Sequence, residues 1–86
     1  MIIRESTVKL PNGLEARPVA MFVQIASEYS SEIMIEADGK KVNAKSIMGM
    51  MSLSLAPGEK VTISAQGTDE VEAATALDDF LGNKEQ

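Results

Sequence analysis

From Lys60 to Gln66 the chain alternates strictly between two chemistries: Val61, Ile63 and Ala65 are apolar, and Thr62, Ser64 and Gln66 are polar. Successive side chains of a strand point to opposite faces, so this segment specifies a strand with one buried face and one wet face. A strand of that kind needs a second layer to cover its apolar side. Residues 32–37, EIMIEA, alternate in the same way, with Ile33 and Ile35 on one face. Asp38-Gly39 follows as a hairpin signal, and residues 40–43, KKVN, return as a short third strand. Residues 2–10, IIRESTVKL, carry β-branched residues and predict a first strand with imperfect alternation, and Pro11-Asn12-Gly13 breaks the chain after it.

Three other segments carry helical spacing. Val19, Ala20, Phe22, Val23 and Ala26 recur at helical intervals between Ala16 and Ser27, with Pro18 in the first turn, where its missing N–H costs nothing. Ser46 is placed to cap a short helix, SIMGMMSL, which Gly49 weakens. Thr68 or Asp69 is placed to cap a last helix that carries Asp69, Glu70 and Glu72 where the dipole favours negative charge. Its predicted buried stripe is Val71, Ala74, Leu77 and Leu81, and Gly82 ends it. The order is βαββαβα. Short strands, a tight hairpin and segregated helices predict an α+β domain, a four-stranded antiparallel sheet with helices covering one face.

Composition removes whole classes of function. Eighty-six residues are one domain, spanning 1–86. With no cysteine there is no disulfide, thiolate metal site or cysteine nucleophile. With no histidine there is no histidine-bound metal, Ser-His-Asp triad or phosphohistidine chemistry. A net charge of −5 opposes binding to nucleic acid or anionic membrane. No apolar run approaches the ~18 residues of a membrane span. MIIRESTVKL meets Arg4 and Glu5 before a signal-peptide stretch could form, so a cytoplasmic protein is expected. The aromatics are only Phe22, Tyr29 and Phe80, so the core must come from aliphatics and from some of the six methionines.

Two clusters could carry chemistry. In Asn12-Gly13-Leu14-Glu15-Ala16-Arg17-Pro18 a glycine turn leads straight into a helix start, where free backbone N–H groups favour an anion. It reads either as a helix N-terminus decorated with a carboxylate and an arginine, or as an anion-handling or docking loop. The second cluster runs from Lys40 to Met51. There Ile47, Met48 and Met51 are close enough on a helix to share a face, while Met50 points elsewhere. A Met-rich exposed face is an adaptable binding surface, and the same residues could equally fill a core poor in aromatics. Asp78 and Asp79 are adjacent on a helix and do not face each other, so a solvated face is expected there.

In this order and spacing the two clusters resemble the HPr family, the small phosphocarrier proteins of the bacterial sugar phosphotransferase system. The family signatures, roughly GLHARPA and KxVNAKSIMGxMSL, stand here as Gly13-Leu14-Glu15-Ala16-Arg17-Pro18-Val19-Ala20 and as residues 41–53, KVNAKSIMGMMSL. Gly67 and the start of the last helix fit as well. The resemblance covers essentially the whole chain and implies the family's open-faced β-sandwich. One departure bears on function: the phosphocarrier histidine falls on position 15, which is Glu15. The resemblance is therefore to the family's non-transporting, catabolite-repression branch, in which the histidine is replaced and the regulatory serine, here Ser46, is kept.

That resemblance implies phosphorylation of Ser46 by the HPr kinase/phosphorylase. The phosphoprotein would then act as co-effector of catabolite control protein A, a LacI-type regulator that makes the DNA contact itself. It implies a partner-binding surface of Glu15, Arg17, Ala20, Met21, Gln24, Ser46, Ile47, Met48 and Met51, with no catalytic residue, no cofactor and no metal. Glu15 either imitates part of the charge of a phosphohistidine, or caps the helix and pairs with Arg17. The alternative is a phosphocarrier, or its His-to-Glu variant, inactive in phosphotransfer. A homodimer exchanging its first strand is also open, with Pro11-Asn12-Gly13 as the hinge.

Overall fold

A computed structural model describes residues 1–11, 13 and 16–83, with the side chain of Ala16 left aside. Its elements are β1 (Ile2–Thr7), α1 (Ala16–Ser27), β2 (Glu32–Ala37), β3 (Lys40–Asn43), α2 (Ile47–Met51), β4 (Lys60–Gln66) and α3 (Glu70–Phe80). The strands form one antiparallel sheet in the order β1-β4-β2-β3. The architecture is α+β, a four-stranded antiparallel sheet with helices covering one face, as the residue pattern predicts, and it is the open-faced sandwich that the resemblance implies.

The alternation of β4 sets the two faces. The register pairs Ile33 with Ala65 and Ile35 with Ile63, so the apolar residues of β2 and β4 form one continuous buried patch. Phe22 of α1, Leu77 of α3 and Met50 of α2 are buried in the same core. Phe22 and Phe80 meet edge to face at 6.1 Å. On the opposite face, Ile3, Glu5, Glu32 and Glu36 are exposed. Asp38 and Gly39 both have positive φ, 53° and 77°, the backbone of a type I′ hairpin whose twist matches its strands.

The predicted first strand runs too far. β1 ends at Thr7. Val8 still donates its N–H to the Glu59 carbonyl in the β1–β4 register, but its own carbonyl accepts the Gly58 N–H in place of that of Glu59, and Lys9 donates its N–H to the Leu81 carbonyl. The last two bonds break the ladder and lead the chain towards the end of α3. The imperfect alternation of β1 also has a cause. Arg4 and Ser6 face α3, where Arg4 Nη1 lies 3.3 Å from Thr75 Oγ1 and 3.6 Å from the Asp78 carboxylate. Ser6 donates to Asp78 Oδ1 at 2.5 Å. Asp78 is thus half-buried and clips the helix to the sheet, contrary to the solvated face expected for it; Asp79 is exposed.

The buried stripe and the N-terminal cap of α3 depart from simple expectation. Its buried residues are Ala73, Ala74 and Leu77, a stripe continued by the C-cap Leu81, while Val71 is 50% exposed. At 3.6 residues per turn Val71 lies roughly 100° around the helix from the centre of that stripe, so it does not join the core. Asp69 occupies the N-cap but makes no side-chain cap bond. Its carboxylate accepts the N–H groups of Ser30 and Ser31 at 2.9 and 3.0 Å, and both their hydroxyls. These donors, the Ser31 hydroxyl first and the Ser30 N–H next, hold the Asp69 carboxyl down at about 2, from an ordinary 3.8. A Cβ on Gly67 would sit 2.6 Å from Ser31 Oγ, so only glycine lets the two segments approach this closely. The C-terminus of α3 closes as predicted at Gly82: its N–H reaches the Asp79 carbonyl and that of Asn83 the Asp78 carbonyl, the two bonds of a Schellman motif.

Candidate functional site

Ser46 has extended backbone, φ −108° and ψ 116°, and is the N-cap of α2. Its hydroxyl accepts the Gly49 N–H at 3.1 Å, while its carbonyl accepts the N–H of Met50 at 2.9 Å. One orphan donor of the helix is satisfied in this way. The hydroxyl oxygen also has a free hydrogen to donate and a second lone pair to accept with. The helix is shorter than the eight residues predicted. Ser52 folds back on it, its hydroxyl 2.6 Å from the Gly49 carbonyl, and Ser54 follows at φ +49°.

Five helical residues bury a single side chain, Met50. Ile47 and Met51 are each 50% exposed and Met48 is 85% exposed. Core filling is therefore the role of Met50, and the other three form an apolar surface beside Ser46.

α1 is the packing neighbour of α2. Arg17, Ala20, Met21 and Gln24 are exposed along it, while Val19, Phe22, Val23 and Ala26 are buried. The structure thus puts the exposed residues of both motifs on two adjacent helices. Glu15, with Asn12 and Leu14, lies outside the described residues, and so do its capping and its pairing with Arg17. Gly13 is described. It has φ +69°, and a Cβ there would run into the Leu55 carbonyl oxygen and approach Pro57 Cδ to 3.1 Å. The first motif is docked through this glycine onto the segment that follows α2, which joins the two clusters in space.

The segment leading into Ser46 is held by bonds that residue pattern alone did not reveal. Asn43 accepts the Lys45 N–H on its side-chain oxygen at 2.8 Å and the Ser46 N–H on its carbonyl at 3.0 Å. Ala44 is buried and donates to the Ile33 carbonyl at 2.9 Å. Lys45 reaches across to α1 and donates through Nζ to the Tyr29 carbonyl at 2.7 Å. Lys40 does the same at the other end of α2, 3.3 Å from the Ser52 carbonyl. An asparagine two residues before a backbone donor is a turn signal and would have located the Asn43 bonds. No local signal announces the two lysines, since both acceptors are distant backbone carbonyls.

Among the described residues no cluster of acidic groups is arranged to hold a metal ion, and no helix is long and apolar enough to cross a membrane. The family model described as the PTS HPr component phosphorylation site matches residues 2–83. The chain belongs to the HPr family. The HPr-like protein Crh of Halalkalibacterium halodurans is 54% identical over 81 residues, which are 94% of this chain and 96% of that one. The crystal structure of a phosphocarrier protein HPr from Bacillus anthracis superimposes with a TM-score of 0.90 at 49% identity, covering 92% of this chain and 94% of the other. Crh of Bacillus subtilis, solved as a dimer with a swapping domain, superimposes with a TM-score of 0.77 at 48% identity and full coverage of both chains. The sheet, the helical layer and the two motifs described above are those of an HPr-like protein.

Proposed function

We propose that this HPr-like protein is a non-transporting regulator that is switched by phosphorylation of Ser46. The observation that carries the reading is the pairing at α2: a capping hydroxyl flanked by the exposed side chains of Ile47, Met48 and Met51. Phosphate adds about −1.5 to −2 charge and three acceptor oxygens to that hydroxyl. The apolar surface beside it is unchanged, so a partner that reads both needs a basic pocket and an apolar contact. Arg17, Ala20, Met21 and Gln24 on α1, together with Glu15, extend the proposed contact.

In this reading the phosphorylating enzyme is HPr kinase/phosphorylase, and the partner is catabolite control protein A in carbon catabolite repression. The protein acts in the cytoplasm, catalyses nothing itself and does not touch DNA. Its 54% identity to an HPr-like protein Crh supports this branch, and so does the absence of any histidine. A pull-down of the regulator with and without Ser46 phosphate tests it. Retention only of the phosphoprotein supports the reading, and equal retention of both forms overturns it.

The rival reading, a phosphocarrier, draws on the likeness to HPr of Bacillus anthracis. It requires a phosphoryl acceptor at position 15, and a carboxylate differs from imidazole in basicity and geometry. Incubation with phosphoenolpyruvate and the general phosphotransferase enzyme is expected to give no stable phosphoprotein; a surviving species mapped to Glu15 would restore this rival. Glu15→His is expected to gain some phosphorylation, because Arg17 and the start of α1 remain. A homodimer is the proposed second state, supported by the dimeric relative from Bacillus subtilis. Size-exclusion chromatography that gives only monomer at high concentration removes it.

A further inference from the structure

Lys45 is next to Ser46 in the chain, yet its ammonium is committed elsewhere, 2.7 Å from the Tyr29 carbonyl. Ser46 has extended backbone, and side chains of neighbouring residues in extended chain diverge. The Ser46 hydroxyl accordingly turns to the Gly49 N–H, and Lys45 turns to the end of α1. Tyr29 lies just beyond the last residue of α1, and its own N–H bonds back to the Ala26 carbonyl. Lys45 therefore stakes the loop that presents Ser46 to the C-terminal end of the neighbouring helix, where the helix dipole favours a cation. Lys40, the cation at the other end of α2, is likewise occupied by the Ser52 carbonyl.

We propose that Lys45 is a positioning residue for Ser46: its bond to the Tyr29 carbonyl holds the acceptor loop in place and keeps its own charge off a phosphate on Ser46. The inference rests on the reading of Ser46 as the modified residue and adds two consequences to it. A kinase meets a loop already ordered, so the tether lowers KM rather than raising kcat. The phosphoserine, once formed, is not neutralised by the nearest lysine, and its charge is left for the cation of a partner. Charge-assisted bonds are about twice as strong as neutral ones, so a lysine free to move would pair with the phosphate in competition with that partner.

The experiment compares Lys45→Met, which keeps most of the stem, with Lys45→Arg, which can still donate to the carbonyl. Kinase assays on the full chain are expected to show KM raised about 5-fold in Lys45→Met at nearly unchanged kcat, and restored within about 2-fold in Lys45→Arg. Unchanged KM in Lys45→Met, or failure of arginine to rescue, overturns the positioning role. The second measurement uses protein carrying phosphoserine at position 46 introduced during translation, titrated by phosphorus NMR. The second pKa of the phosphate is expected to stay put in Lys45→Met. A rise of half a unit or more shows that Lys45 had been pairing with the phosphate, and overturns the second half of the proposal. If the kinase leaves wild-type Ser46 unmodified, the reading of Ser46 fails on its own. Amide exchange at Ser46 and Gly49 then decides the tether: faster exchange in Lys45→Met but not in Lys45→Arg supports it, and equal exchange in all three proteins refutes it.

Discussion

The two ends of the helical layer use serine hydroxyls in opposite ways. At the start of α3, Ser30 and Ser31 give all their donors to Asp69, and Ser31 is buried. At the start of α2, Ser46 accepts one N–H and stays half-exposed, with Ile47, Met48 and Met51 left outside. The first arrangement leaves little capacity for a partner and ties the chain after α1 to the start of α3. The second contributes little to stability and keeps its chemistry available. Function is expected where local structure is small and its hydrogen-bonding capacity incomplete, and the variants below separate the two regions on that basis.

The largest contrast is predicted for Ser46→Ala. Losing the cap costs only ~1 kcal/mol, so the domain stays folded, with a small drop in Tm. Binding to the regulator is nevertheless expected to vanish under phosphorylating conditions, because the charge-assisted bonds to a partner arginine or lysine are gone. Ser46→Asp caps the helix well but restores little binding, since a carboxylate lacks the charge and the third oxygen of phosphate. Calorimetry for stability beside surface plasmon resonance for binding reads both. Strong binding by Ser46→Ala removes the switch.

The methionines of α2 divide along the same line. Met50→Ala opens a cavity in the core and is expected to cost about 2–5 kcal/mol of stability. Met48→Ala and Met51→Ala are expected to leave stability nearly unchanged and to weaken the phosphorylated complex by roughly 1–3 kcal/mol each. Phosphorylation itself should be intact. If the two exposed methionines can be removed with no loss of binding, the docking surface lies elsewhere.

Much of this was legible in the residues, and the failures at polar positions share one cause. Periodicity located β2, β4, α1 and α3 because burial of an apolar face drives them: Ile33, Ile35, Val61, Ile63 and Ala65 all face the core as their alternation implies; β3 and α2 were marked instead by the Asp38-Gly39 turn and the Ser46 cap. The Ser46 cap and the grouping of Ile47, Met48 and Met51 apart from Met50 were legible because a short helix can bury only one side; which side is buried was settled by the fold. Asp69, Asp78 and Lys45 were not legible. Each is a polar residue whose partners lie far away in the chain: Ser30 and Ser31 for Asp69, Arg4 and Ser6 for Asp78, and Tyr29 for Lys45. Local pattern assigns such residues to caps or to solvent, because water and a helix end satisfy them equally well; only the folded topology brings up the alternative donor or acceptor.

The Asp69 clamp gives the other region its own signature in acid. The folded carboxyl titrates at about 2 and the ordinary value is 3.8, so the folded state holds fewer protons than the unfolded one in between. Its stabilisation is complete above about pH 4 and is lost as pH falls through the folded value. Glu70 is displaced in the same direction by the Gly67 N–H and the chain's N-terminal ammonium, and adds to the same acid limb. Asp69→Asn is expected to flatten that limb and to lower Tm at neutral pH, leaving Ser46 phosphorylation untouched. An acid limb identical to wild type in this variant would show that the clamp is not what acid releases.

The smallest effect is predicted at Val71, where residue pattern and structure disagree outright. A valine in the buried stripe of α3 would lose a good part of its ~1.5–3 kcal/mol of burial on truncation. Half-exposed as it is, with Ala73 taking the inward position, Val71 has less apolar surface to lose. Alanine also has the higher helix propensity, because valine loses side-chain freedom against the preceding turn. The two effects oppose each other, so Val71→Ala is expected to change stability by no more than about 0.5 kcal/mol in either direction. Leu77→Ala in the same helix, fully buried, supplies the contrast at about 2–5 kcal/mol. Denaturation midpoints of the two variants measured side by side decide between the two views of α3. A loss at Val71 comparable to that at Leu77 would mean that the helix is rotated in solution by roughly 40°, less than half a residue, towards the stripe that local spacing proposes.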